Sequence, residues 1–154
     1  MKKNLYELKK SINKKMTKTK IRAIRHQILL GLSFMHKYGF FHRDMKKENL
    51  LLLNKIIKIA DFGLVKKIRS VPTSTEYVSS RYYRVSKIYF KYTHYNSPID
   101  IWAVVYIMAE IYLHPQSFFF GNNEKEVFYR MCSILGSQII IIGMKEFNYQ
   151  KCVI

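Results

Sequence analysis

His42-Arg43-Asp44-Met45-Lys46-Lys47-Glu48-Asn49, followed twelve residues later by Asp61-Phe62-Gly63, is the stretch that decides how this chain is read. Between the two lie the apolar runs Leu50 to Leu53 and Ile56 to Ala60, either side of Asn54-Lys55. That pattern predicts two short strands around a tight turn. Such a pair returns the chain towards its start, so Asn49 and Asp61 are expected to face one site. Singly, each residue has an ordinary reading. Asp61 before Phe-Gly can form a turn. Lys46 and Lys47 can be solvated charges, and Lys47 is expected to be one. Asn49 can cap a turn, and His42 is expected to be a satisfied core histidine. Their occurrence together, in order and in register, sets the stretch apart.

Upstream, Ile21, Ile24, Ile28, Leu32 and Met35 step by three or four, which predicts an amphipathic helix ended by Gly39. Phe40-Phe41 reads as extended, and residues 1 to 20 as a basic, partly helical entry. Downstream, residues 64 to 97 are rich in Ser, Thr, Tyr and Arg without a sustained period, as in a long functional loop. Ser97-Pro98-Ile99-Asp100 starts a helix, with Ser97 at the N-cap, Pro98 at the first position and Asp100 near the positive end of the dipole. The run from there to Tyr112 is apolar nearly all round, so this helix is expected to be buried. Glu124 to Leu135 is a further amphipathic helix stopped by Gly136. Residues 137 to 154 open on an Ile run and then lose any pattern.

The 154 residues suffice for one compact domain with a real core. Cys132 and Cys152 have no metal-site spacing and make no disulfide framework, so a reducing, cytoplasmic or nuclear setting is expected. The basic N-terminus lacks the apolar core of a secretory signal. The longest apolar run, Ile101 to Ala109, is far short of the about 20 residues a membrane span needs, so no membrane partner is expected. The formal net charge is +17. A nucleic-acid surface is one explanation; we favour compositional drift from AT-rich coding, because Lys, Ile, Asn, Tyr and Phe are all abundant and no nucleic-acid-binding motif is present. The acidic residues say more. The chain has three aspartates, Asp44, Asp61 and Asp100.

The two stretches quoted first match the catalytic loop and the magnesium-binding triplet of protein kinases. Phe41 to Lys46 together with Lys58 to Leu64 resembles the male germ cell-associated and intestinal-cell kinases, within the group of the cyclin-dependent and MAP kinases. Thr75-Glu76-Tyr77 looks like the dual phosphorylation motif of that family, Arg81 to Arg84 like the segment after it, and Ser97 to Ala103 like the start of its central buried helix. The resemblance covers residues 1 to 136, a partial kinase domain beginning just past the hinge; 137 to 154 is a divergent tail. It implies a mainly α fold with short β-strands, the C-terminal lobe of a kinase, without the N-terminal lobe and with its last helices truncated.

The resemblance also implies roles. Asp44 would take the proton of a substrate hydroxyl and Lys46 would steady the transferred phosphoryl group. Asn49 and Asp61 would hold magnesium. Leu51 would floor the adenine of ATP, and His42 and Phe62 would belong to a core stack. Arg43 and Arg84 would receive phosphate placed on Thr75 and Tyr77. Asp100 would tie the buried helix to the catalytic-loop backbone; as a plain first-turn carboxylate it would do no such thing. The partners implied are ATP, magnesium and a protein substrate carrying Ser or Thr.

Several positions depart from the family. Val85-Ser86-Lys87 stands where the family has Ala-Pro-Glu, Lys47 where it has proline, Tyr82 where it has tryptophan, and Ser80 where it has threonine. Val105 replaces a helix glycine, adding bulk where close packing is expected. No Gly-rich loop or strand lysine precedes residue 42. Chemistry positions are kept while scaffold positions change. The expectation is a Ser/Thr kinase fragment, inactive by itself; the alternatives are an inert kinase-like binding module or a truncated gene product.

Overall fold

The structure is a computed structural model, and it describes residues 3–12, 16–68, 96–113 and 121–136. Asn4 ends a two-residue strand, β1 (Lys3–Asn4), and caps helix α1 (Leu5–Ser11). Its side chain accepts from Glu7 N at 2.8 Å while Glu7 Oε2 accepts from Asn4 N at 3.2 Å, a reciprocal capping box. Helix α2 (Lys18–Lys37) starts one turn earlier than its apolar period suggests, because Thr17 caps it by accepting from Lys20 N. Ile21, Ile24, Ile28 and Leu32 are buried as the period predicts, with Met35 partly so. Gly39 ends the helix with φ +81°, a conformation that costs glycine little.

Phe40–Phe41 is strand β2, and its partner lies in the stretch read as loop: β5 (Lys66–Lys67) pairs with it antiparallel. The predicted hairpin is β3 (Leu50–Leu53) and β4 (Ile56–Ile59), and β1 adds to the outer edge of β3, giving the order β1-β3-β4. Asn54 (φ 48°) and Lys55 (φ 67°) make the connection, both with the positive φ that a two-residue turn needs to match strand twist. Gln27 of α2 fastens the hairpin: its Oε1 accepts from Ile57 N at 2.7 Å and its Nε2 donates to Lys55 O at 3.5 Å. Helix and hairpin lie so close that a Cβ on Gly31 would meet Ile59 Cδ1 at 2.9 Å.

Helix α3 (Pro98–Leu113) packs on α2, and α4 (Glu124–Leu135), capped by Asn123, adds Val127 and Met131 to the same core. That core joins the α2 stripe to Ala103, Val104, Ile107 and Ile111 of α3 and to Leu5, Met45 and Leu50. Each fully buried Ile or Leu contributes about 1.5–3 kcal/mol relative to exposure. Burial of α3 is less complete than its composition suggests. Ile101, Val105 and Tyr112 share an open side, and Val105 is 62 % exposed, so its extra methyls meet solvent rather than a crowded core. The described residues form four α-helices and two small antiparallel sheets. No described helix is long and apolar enough to cross a membrane. The tail from 137 lies outside the described residues.

Lys55 holds a left-handed conformation without being glycine, a cost of roughly 1–2 kcal/mol. Lys55→Gly should therefore raise the stability of the chain by about 1 kcal/mol, since the bond to Gln27 uses the main-chain carbonyl and survives. A urea midpoint that falls or stays put would refute it.

Candidate functional site

A carboxylate with three donors organises the site. Asp100, in the first turn of α3, is 1 % exposed. Its Oδ2 accepts from His42 N at 2.8 Å and its Oδ1 from Arg43 N at 2.9 Å. His36 Nε2, from the last turn of α2, donates to Oδ2 at 2.8 Å. A buried carboxylate needs that many donors to offset lost hydration. Asp100 is thus both a first-turn carboxylate and the tie to the backbone of residues 42 and 43. Arg43 has φ 73°. A left-handed arginine costs of order 1–3 kcal/mol and persists where its surroundings over-determine it; here the charge-assisted bond to its own N–H does so.

His42 is fully buried and structural. Its Nε2 faces Ala60 O at 3.0 Å and its Nδ1 faces Asp44 N at 3.3 Å. A carbonyl only accepts and an amide N–H only donates, so the ring is the neutral tautomer with hydrogen on Nε2. Through it the backbone before Asp61 is joined to the backbone of Asp44. Phe62 packs on the His42 ring with centroids 5.7 Å apart, as the expected stack requires. Its other side is open, leaving it 57 % exposed.

Asp44 is the hub of the polar cluster. Lys46 Nζ lies 2.6 Å from Asp44 Oδ2. Asn49 Nδ2 donates to Asp44 O at 2.9 Å and to Oδ2 at 3.2 Å. Asn49 therefore does not cap the 3-10 turn it ends (Lys47–Asn49); its amide hydrogens are turned to Asp44, which leaves Oδ1 as its oxygen donor. Ala60 N donates to Asn49 O at 2.9 Å, a bond that continues the β3–β4 ladder and sets Asp61 beside Asn49. Asp61 adopts φ 65°, ψ 75° and caps a second 3-10 turn (Phe62–Leu64) through a long, 3.5 Å contact from Gly63 N. Its carboxylate is exposed. Two hard oxygen donors on adjoining segments suit magnesium, which takes one or two protein oxygens and fills its shell with water and phosphate. Among the described residues no three His, Cys, Asp or Glu side chains form a metal cluster.

Other sequence-predicted residues fall as follows. Leu51 is half-buried on the face of β3 opposite the fully buried Leu50. Arg43 Nη1 donates to Leu64 O at 3.4 Å, linking the segment of residues 42–44 to the turn after Asp61. Thr75, Tyr77, Arg84 and the departures at 80, 82 and 85–87 lie outside the described residues. One expectation is overturned. Lys47 is no solvated charge: its Nζ pairs with Glu110 Oε2 at 3.1 Å, both side chains largely buried. Glu110 was the available signal, a lone carboxylate closing the apolar run of α3, since a buried charge demands a partner. Lys9 reaches the adjoining residue of α3, Nζ donating to Ile111 O at 2.8 Å. Burial, and then the Lys47 charge, lower its pKa from the usual lysine value. His36 and Gln27 carried no sequence signal, because their partners are 64 and 30 residues away.

Residues 1–151 match the protein kinase domain family. The chain is 52 % identical over 139 residues to serine/threonine-protein kinase ICK of Mus musculus, covering 89 % of this chain and 22 % of that protein. It is 49 % identical over 162 residues to serine/threonine-protein kinase MAK of Homo sapiens, covering 99 % and 26 % respectively. It is 43 % identical over 135 residues to cyclin-dependent kinase F-4 of Oryza sativa subsp. japonica, covering 87 % and 29 %. The chain thus spans 22 % to 26 % of the length of the first two relatives.

Asp100→Asn keeps the shape but leaves one acceptor oxygen for three donors and turns an NH2 group towards them. With buried donors left unpaired at about 1–3 kcal/mol each, the variant should lose roughly 2–4 kcal/mol of stability. Chemical denaturation measures it; a loss under about 1 kcal/mol would show that the ties to residues 36, 42 and 43 are weak.

Proposed function

Because this chain belongs to the protein kinase family, in the branch of the male germ cell-associated and intestinal-cell kinases, we propose that it carries the catalytic-loop lobe of a Ser/Thr protein kinase. The observation that carries this reading is the joining of Asp44, Lys46 and Asn49 in one hydrogen-bonded cluster, with Asp61 set beside it by the Ala60–Asn49 bond. Residues 1–136 are read as the C-terminal lobe and 137–154 as a divergent tail.

The reaction would transfer the γ-phosphoryl group of ATP to a Ser or Thr hydroxyl of a protein. The oxygen–phosphorus bond to the hydroxyl forms, the bond to the β,γ-bridging oxygen breaks, ADP leaves, and the hydroxyl proton passes to Asp44. Lys46, already drawn to Asp44 Oδ2, would neutralise charge on the moving group. Asn49 Oδ1 and the Asp61 carboxylate would hold magnesium, which supplies charge neutralisation at the phosphate oxygens. Leu51 would lie under the adenine. Arg43 and Arg84 would take up phosphate on Thr75 and Tyr77, because arginine pairs strongly with phosphate, which brings about −1.5 to −2 charge.

In full-length protein that phosphorylates a substrate, Asp61→Asn should abolish transfer, and undiminished activity would remove Asp61 from the site. Phosphate should be found on Thr75 or Tyr77 by mass spectrometry of protein from its native cells; a well-covered peptide never modified at either position would count against that role.

The 154 residues alone should show no appreciable transfer. The glycine loop and strand lysine that fix the phosphates in kinases are not among them. Positioning is worth about 7–11 kcal/mol of barrier, so losing half the clamp should slow the rate by several powers of ten. Purified chain with magnesium-ATP and a generic basic protein, with Asp44→Asn as blank, is the assay. Incorporation clearly above the blank would overturn this prediction. Full-length protein that binds no ATP would instead favour the inert binding module.

A further inference from the structure

Lys47 takes no part in the chemistry proposed above, yet it stands at the first position of the turn that closes the catalytic loop. The residue before it, Lys46, is extended at φ −152°, ψ 165°. This is the backbone a residue adopts before proline, and the first position of a helical turn is where proline fits. A proline at this position would fix φ; lysine does not. What lysine supplies instead is a charge within reach of α3. Its Nζ lies 3.1 Å from Glu110 Oε2 and 5.7 Å from the centroid of the Tyr6 ring, in a setting dry enough that the pair is weakly screened.

Position along α3 gives the pair its meaning. Asp100 and Glu110 are ten residues apart on one helix, about 15 Å along its axis. Asp100 grips the backbone of residues 42 and 43, where the loop begins. Glu110 grips residue 47, where it ends. The turn is closed around Lys47: Asn49 N donates to Lys46 O, and Leu50 N to Lys47 O. A shift of Lys47 would thus swing Lys46 and Asn49 together, the two side chains bonded to Asp44 Oδ2.

We propose that the Lys47–Glu110 ion pair is a second tether of the catalytic loop, and that both are positioning residues for Asp44 and Asn49. The tether stands on geometry alone; its catalytic consequence rests on the function proposed above.

Amide hydrogen exchange on the 154-residue chain tests the tether. Lys47→Met and Glu110→Gln should each speed exchange across residues 42–50 by roughly tenfold while leaving residues 21–32 of α2 unchanged. Lys47→Arg, and the reversed pair Lys47→Glu with Glu110→Lys, should return the loop to the slow rate. Unchanged loop exchange, acceleration spread evenly over α2 and α3, or failure of Lys47→Arg to restore the loop would each overturn the tether. In full-length protein, Lys47→Met should lower kcat with the KM for ATP nearly constant, and Lys47→Arg should recover it. Faster loop exchange with kcat unchanged would overturn the positioning role. If the wild-type protein transfers no phosphate while the loop still answers to the charge swap, the tether stands and the proposed function fails.

Discussion

Burial of the Asp100 carboxylate is the constraint from which the rest follows. A charge 1 % exposed in the core of a small domain is tolerable only when its oxygens are saturated with donors. The three it finds come from two different places, the end of α2 and the backbone of residues 42 and 43. Satisfying one carboxylate therefore fixes how α2, α3 and residues 42–43 meet. It also offsets the strain of a left-handed Arg43, since the strained residue's own N–H is one of the donors. Apolar packing of Ile28, Leu32 and Ile107 brings the helices together. Packing alone is non-directional and would not select the loop conformation.

From that anchor the order passes along hydrogen bonds. His42, held at its backbone N–H by Asp100, uses its ring to join Ala60 O and Asp44 N. Asn49 joins Asp44 by its side chain and Ala60 by its carbonyl. Each link is worth about 1 kcal/mol, but in a poorly solvated network every group left unpaired costs more than that. The cluster is thus held in one arrangement, which the phosphoryl transfer proposed above would require. The hairpin supplies the register: a slip of one residue between β3 and β4 would turn Leu50 and Ile57 out of the core.

The high lysine content takes on a different aspect in this setting. Among the described residues most lysines are exposed, as compositional drift predicts. Of those that are not, Lys9 and Lys47 bring their charges to the C-terminal half of α3, one onto the Ile111 carbonyl and one onto the Glu110 carboxylate. Lysine's long aliphatic stem lets the chain cross apolar surface before its charge is satisfied.

By itself the sequence determined the elements whose signals are local. The α2 stripe, the Asn54-Lys55 hairpin, the Ser97-Pro98 helix start and the two spaced motifs depend on periodicity, turn chemistry and capping, which act over a few residues. The family, too, was legible, because Asp44, Asn49 and Asp61 keep their types and spacing. Tertiary structure alone decided what pairs across long separations: β5 with β2, His36 with Asp100, Gln27 with the hairpin, and Lys47 with Glu110. It also decided which side of α3 stays open, placing Val105 in solvent where the apolar composition suggested burial. The reason is the same in each case. Local geometry is set by a residue and its near neighbours, whereas the partner of a charge or an edge amide is set by which elements the core brings together, and a helical or strand period carries no record of that choice.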